Sequence, residues 1–279
     1  MATKVPAFTT TCAYTSEVSG GYWYIYLKSS GTIKFSYAKT LEACIVGGGA
    51  AGQGRSAATT GIRTYGGGGG TVLNKTGIFA SAGTGYSIVI GSGGTKGLSS
   101  TDGSASTAFG YSASGGSTTG QVGTDKGKDG TYAFNDSTLS RYGGGGGRGG
   151  DSRGGAGSSG GAGGGGKGAD GGNYGGGGAD AVAGTANTGG GGGGYGSDLN
   201  WDDNFESGGN NADGGSGIVI LRGTEDDFLP VKFNGVQLTQ MTFNGEAVTG
   251  LIYGGTRIFA DALRWMRQRL AGRMRAYGV

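Results

Sequence analysis

The residues best suited to recognition chemistry lie in one short stretch, Tyr195-Gly-Ser-Asp-Leu-Asn-Trp-Asp-Asp-Asn-Phe-Glu206. It follows the glycine run 189–194 and mixes aromatic rings with acids and amides. Rings stack and amides hydrogen-bond, a pairing that suits sugar or protein-surface recognition. Tyr195, Trp201, Asp202, Asp203 and Phe205 are therefore candidate binding residues. Tyr142 and Tyr174 extend the set as aromatic anchors among the glycines. The competing reading is that Trp201 and Phe205 only plug the end of a glycine-rich assembly.

The parts most enzymes use are missing. The chain has no histidine, which removes His-based acid/base catalysis, Ser-His triads and His metal ligands. Acid pairs occur at Asp202-Asp203 and Asp226-Asp227, but nothing else supports a two-carboxylate hydrolase. There is no G-x-x-x-x-G-K-[ST] phosphate loop. The calcium nonapeptide pattern fits residues 175–183, yet Asp170 and Asp180 are spaced ten apart, which breaks its nine-residue stacking register. Arg148-Gly-Gly and Arg153-Gly-Gly sit beside acids and make a weak cationic patch for RNA. The expectation is a non-enzymatic protein with no cofactor, no metal and no nucleic-acid partner.

Composition narrows the class. Glycine supplies 73 of 279 residues, against a usual share of roughly 7%. The glycines follow no strict three-residue period and there are only two prolines, so collagen is excluded. No apolar run approaches the roughly 20 residues of a transmembrane helix, so membrane insertion is not expected. Fourteen Tyr, ten Phe and three Trp are too many for a wholly disordered low-complexity chain. Cys12 and Cys44, the only cysteines, read as reduced buried thiols rather than a disulfide scaffold. The start, MATKVPAFTTTCAY, carries no basic-then-apolar export signal. Synthesis in the cytosol, without export by the standard route, is therefore expected.

These residues need elements to position them. Tyr22–Leu27 and Thr32–Tyr37 alternate around Ser29-Ser30-Gly31, which predicts a hairpin. Leu41–Val46 is a third strand that runs straight into glycine. Further short strands are expected at 71–73, 78–79, 86–90 and 217–222. Short β-branched strands bounded by turn residues suit a β-sandwich. Between them, residues 143–194 contain 30 glycines in 52 positions. One reading is a flexible linker. The sharper reading is a bundle of polyglycine II-like helices, three residues per turn, whose backbone groups bond to neighbouring segments.

The end of the chain reads differently. Residues 231–240, 241–250 and 251–260 repeat a pattern of apolar-x-aromatic, then Asn-Gly or Gly-Gly, then a second short strand. Asn-Gly supplies the positive φ of a tight turn, so three successive hairpins are expected. Residues 261–279 read as a basic amphipathic helix. Met266 and Leu270 lie on its apolar face, with Arg264, Arg267, Arg269 and Arg273 around it, a candidate surface for docking an acidic protein partner. The expected domains are 1–228, 229–260 and 261–279.

The junctions CIVGGGAAGQG at 44–54, GYSIVIGSGG at 85–94 and GGSGIVILRG at 214–223 resemble the glycine-rich domain of bacteriophage tail and other virion proteins. The 231–260 repeat is similar to short C-terminal repeats of phage structural proteins. The resemblance implies an all-β fold: a β-sandwich with polyglycine II-like insertions, a short β-hairpin repeat and a terminal α-helix. It implies a virion location and a tail-fibre or tip adhesin. Loops between the glycine segments would bind a host cell-surface glycan or protein. The C-terminal part would hold other virion proteins or sister chains in a homo-oligomer such as a trimer. The alternatives are a non-receptor decoration, head fibre or plug of the particle, and a cell-envelope matrix protein.

Overall fold

The computed structural model describes residues 4–54, 64–119, 126–151, 155–172, 178–197 and 209–224, and the backbone of short strands within 232–259. Twelve strands precede residue 224. They are β1 (Phe8–Thr10), β2 (Tyr14–Ser19), β3 (Tyr22–Leu27), β4 (Gly31–Phe35), β5 (Lys39–Val46) and β6 (Val72–Ala80). Then come β7 (Gly85–Val89), β8 (Ser106–Ala108), β9 (Tyr111–Ala113), β10 (Thr131–Tyr132), β11 (Arg141–Tyr142) and β12 (Ile218–Gly223). The protein is nearly all β, and its one helical turn among the described residues is 3₁₀, Ala133–Asn135.

Ten of these strands form two five-stranded antiparallel sheets, ordered β1-β4-β7-β8-β9 and β2-β3-β12-β5-β6. One apolar core draws on both. Trp23, Ile25, Leu27, Ile45, Val219 and Leu221 come from one sheet, and Ile33, Phe35 and Ile88 from the other. The period-2 alternation of a strand sends Tyr24, Cys44, Val46, Ile218 and Ile220 to the opposite face. There they form a second cluster under Ala133 and Phe134. Both thiols are free and buried. Cys12 belongs to the first cluster and Cys44 to the second.

The expected hairpin of residues 22–27 and 32–37 is corrected. β3 pairs with β2 and β12, while β4 pairs with β1 and β7. The 28–30 turn therefore crosses between sheets, held where Ser29 Oγ accepts from Ala13 N and Ser30 Oγ from Ile90 N. The local hairpin is β2–β3 instead. Gly20 and Gly21 take φ of 58° and 81°, the two positive angles of a type I′ turn. The two short pieces expected at 71–73 and 78–79 are one strand, β6, paired to β5 across a register irregularity between Leu41 and Ala43.

Between the strands the glycine segments form a backbone lattice. Gly48 and Ala51 donate to Ser104 and Thr101. Gly49 and Gly52 donate to Gly215 and Ala212, and Ala50 and Gln53 to Gly68 and Tyr65. The partner segment thus repeats every third residue, as in an extended helix of three residues per turn. The same segment accepts from three others, through Gly94, Gly116 and Gly192. Donating to three neighbours and accepting from three leaves little room for side chains: inside the segment only the buried methyls of Ala50 and Ala51 fit. A β-carbon built on Gly49, Gly52, Gly67 or Gly191 would overlap a neighbouring carbonyl.

Beyond residue 231 the backbone forms three two-stranded ladders, at 232–237, 242–247 and 251–259. The expected helix at 261–279 lies outside the described residues.

Candidate functional site

Connectivity fixes where the lattice segments end. Residues 47–54 leave β5 and 64–71 return to β6; 91–97 leave β7 and 101–105 return to β8. Residues 114–119 leave β9, 143–151 leave β11, and 209–217 enter β12. Two turns, 162–164 and 186–189, lie at the sheet end. Gly143 N–H donates to Thr188 O, and Gly189 N–H to Ser216 O, one residue before Gly217 and β12. It follows that Gly54, Thr64, Asp151, Gly155, Gly172, Gly178, Ser197 and Gly209 all face away from the sheets, with Thr119 and Lys126 leaving the lattice lower down. The segments that join these residues lie outside the described residues.

Side chains tie this distal end together. Asn211 is buried, and its Nδ2 donates to Gly52 O at 2.8 Å and Ser100 Oγ at 2.9 Å. Ser100 Oγ donates to Gly52 O at 2.6 Å, so both residues fix the 97–100 turn. Thr64 Oγ1 donates to Tyr195 O at 2.7 Å. Asp180 Oδ1 accepts from Asn210 N and Nδ2. Asp170 accepts from Lys167 Nζ and Gly157 N. The Lys167 ammonium first, and the Gly157 amide second, hold its carboxyl below the usual carboxylate range. Asn211, Ser100 and Thr64 carry small polar side chains that bond to backbone, so the sequence gave no signal for them; only the three-dimensional lattice shows what they do.

Tyr195 stands at this distal end, half-buried, its N–H donating to Gln53 O. Tyr142 stands at the sheet end, in a cleft beside Tyr24 and Phe134. Six residues of lattice separate their levels, since Gly191 N–H donates to Gly144 O and Gly194 N–H to Gly147 O. At about 3.1 Å per residue that is roughly 20 Å. The two tyrosines do not share one site. Tyr174, Trp201, Asp202, Asp203 and Phe205 lie outside the described residues, as do Arg264, Met266, Arg267, Arg269, Leu270 and Arg273.

Among the described residues no group of three His, Cys, Asp or Glu is placed to hold a metal ion. Also among the described residues, no helix is long and apolar enough to cross a membrane. No curated protein matches the chain. The model of the glycine-rich domain matches residues 28–224, which spans the strands from β4 to β12 and the whole lattice between them. The chain belongs to the glycine-rich domain family.

Proposed function

We propose that this protein is a virion structural protein, a tail-fibre or tip adhesin that displays binding loops on a rigid backbone scaffold. In this reading the two sheets are a β-sandwich base, and the three-residue bonding period marks a polyglycine II-type lattice standing on it. The observation that carries the proposal is the shared direction of the lattice ends. Segment after segment runs between the sheets and the distal end, so the residues that flank 55–63, 152–154, 173–177 and 198–208 all lie at that end. A scaffold stiffened by backbone bonds presents loops at low ordering cost, which is how pre-organisation raises affinity. In this reading the 198–208 segment, which carries Trp201, Asp202, Asp203 and Phe205, would supply the binding residues. Its target would be a host cell-surface glycan or protein. Residues 229–279 would join other virion proteins or sister chains.

The test is adsorption of particles to host cells. Gly196 N–H donates to Gly209 O at 3.1 Å, so residues 198–208 can be replaced by a short Gly-Ser bridge without pulling the lattice apart. Particles carrying the bridged protein should lose adsorption while assembling in normal yield. Normal adsorption by such particles would remove the receptor role and leave a decoration of the particle.

A further inference from the structure

The outermost strands of the two five-stranded sheets are β1 and β9 in one, β2 and β6 in the other. An edge strand presents unpaired backbone groups, and folds blunt such edges with short strands, bulges, Lys or Pro. β1 and β9 have only three residues each. β6 carries Lys75 and Gly77 and meets β5 across a register irregularity. β2 has none of these devices. Its six residues, Tyr14-Thr-Ser-Glu-Val-Ser19, run in unbroken register with β3, and all are exposed. Among the described residues, its outer side pairs with no strand.

The outward backbone groups follow from one bond. Lys28 N–H donates to Ala13 O, and this pair continues the β2–β3 register that sets Tyr14 against Leu27. Backbone groups alternate sides along a strand, so Thr15, Glu17 and Ser19 also face β3. Tyr14, Ser16 and Val18 then turn their N–H and C=O groups outward. These three stand opposite Leu27, Ile25 and Trp23, which puts them on the core-side face of the sheet. Tyr14 and Val18 are nevertheless 49% and 41% exposed. The apolar face thus continues one strand beyond the core it serves.

We propose that β2 is a homodimerisation edge, pairing antiparallel with β2 of a second copy about a two-fold axis that passes through Ser16 perpendicular to the sheet. Two conditions select this register. A perpendicular axis keeps both core-side faces on one side, so a core-side residue must meet a core-side residue. The residues that meet must also be those with outward backbone groups. Both conditions hold when Ser16 faces its own copy and Tyr14 faces Val18 of the second copy. Each such pair exchanges two backbone hydrogen bonds, and Tyr against Val is an aromatic-to-β-branched pair that stabilises sheets. Charge agrees. Glu17, the one charged residue of β2, falls opposite Thr15 of the second copy and not opposite another Glu17. One five-stranded sheet from each copy joins into a single continuous sheet. The surface uses neither the distal segments nor residues 229–279, so it stands apart from the reading above.

The experiment replaces Ser16 and Ser19 with Cys, separately, in the full-length protein. Both positions are exposed, so neither change disturbs the core. Opposed residues of a hydrogen-bonded pair have Cα atoms about 5.5 Å apart, within reach of a disulfide. The two copies of Ser19 stand roughly 20 Å apart along the paired strands. On air oxidation Ser16→Cys should link chains in pairs, and Ser19→Cys should not. Ser16→Lys sets like charges face to face and should raise the dimer dissociation constant about fivefold or more, read by sedimentation equilibrium. A parent that stays monomeric would overturn the proposal, as would equal cross-linking of the two cysteine variants or association that Ser16→Lys leaves unchanged. Protection of the Tyr14, Ser16 and Val18 amides from hydrogen exchange at every protein concentration would also overturn it, by showing the edge covered within one chain.

Discussion

The guanidinium carbon of Arg222 sits 4.1 Å from the centroid of the Phe134 ring, and Phe134 holds a left-handed backbone at φ 54° to put it there. The same guanidinium stands 4.7 Å from the Tyr22 ring and bonds Glu42 Oε2 through Nε and Nη2. Phe134 N–H donates to Asn74 Oδ1, which fixes the turn from the other side. This clamp fastens the 131–142 segment over the outer face of β12 and so builds the wall of the tyrosine cleft.

Replacing Arg222 with Ala should destabilise the protein by about 3 kcal/mol. Removing one partner of a largely buried ion pair leaves the other without compensation, and the stacking on two rings is lost as well. Urea unfolding followed by tyrosine fluorescence would measure it. A loss under about 1 kcal/mol would mean the clamp is incidental.

A single methyl inside the lattice should be costly. Gly49→Ala would drive its β-carbon into the Gly190 carbonyl, and neither backbone can retreat without breaking bonds to other segments. A cost of about 3 kcal/mol or more is expected, the upper end for overpacking. Gly77→Ala is the control. Nothing lies within 4 Å of its β-carbon, so only its positive φ opposes the change, at about 1–2 kcal/mol. Equal melting temperatures for the two variants would contradict the lattice.

Stability should be flat across neutral pH and fall in acid. There is no histidine to titrate. Asp102, Asp129, Asp136 and Asp170 all have lowered folded-state pKa values. The leading causes are the Thr118 N–H, the Ala162 N–H, the Thr138 hydroxyl and the Lys167 ammonium. A carboxyl lowered in the fold stabilises above its unfolded pKa of about 3.9, and that contribution disappears as pH falls through the folded value. The melting temperature should therefore hold from about pH 8 to 5 and drop below about pH 4. Asp170→Asn should shrink the acid-side drop.

Cys44 should be inert. Burial pushes its thiol up to about 12, against smaller lowering effects from the Phe134 N–H and Arg222. Because Cys12 and Cys44 serve different clusters, no disulfide should form on air oxidation. A thiol reagent should label both residues only after denaturant is added; mass spectrometry of the native protein should show neither.

The sequence was legible wherever a strand buries one face. Tyr22–Leu27 and Ile218–Leu221 announced themselves because Trp23, Ile25, Leu27, Val219 and Leu221 must reach a core. β2 left no such mark, since all six of its residues are exposed. That silence hid the β2–β3 hairpin and, with it, the open edge at Tyr14, Ser16 and Val18. The β8–β9 hairpin was hidden in another way. Its turn places Phe109 at φ 52°, a conformation a bulky residue avoids, stabilised here because its ring packs on Tyr86 at 4.8 Å.

The sequence alone determined that glycine runs begin where β5 stops and end where β12 starts, that three copies of a ten-residue repeat follow, and that histidine chemistry is absent. The tertiary structure alone decided which segments touch. β12 reaches back to put Gly223 opposite Trp23, a pairing that no local pattern encodes. Within the lattice, successive amides point about 120° apart, so Gly48, Gly49 and Ala50 each bond a different, distant segment. A run of glycines has no side chains to record its neighbours; only the packed backbones themselves specify them.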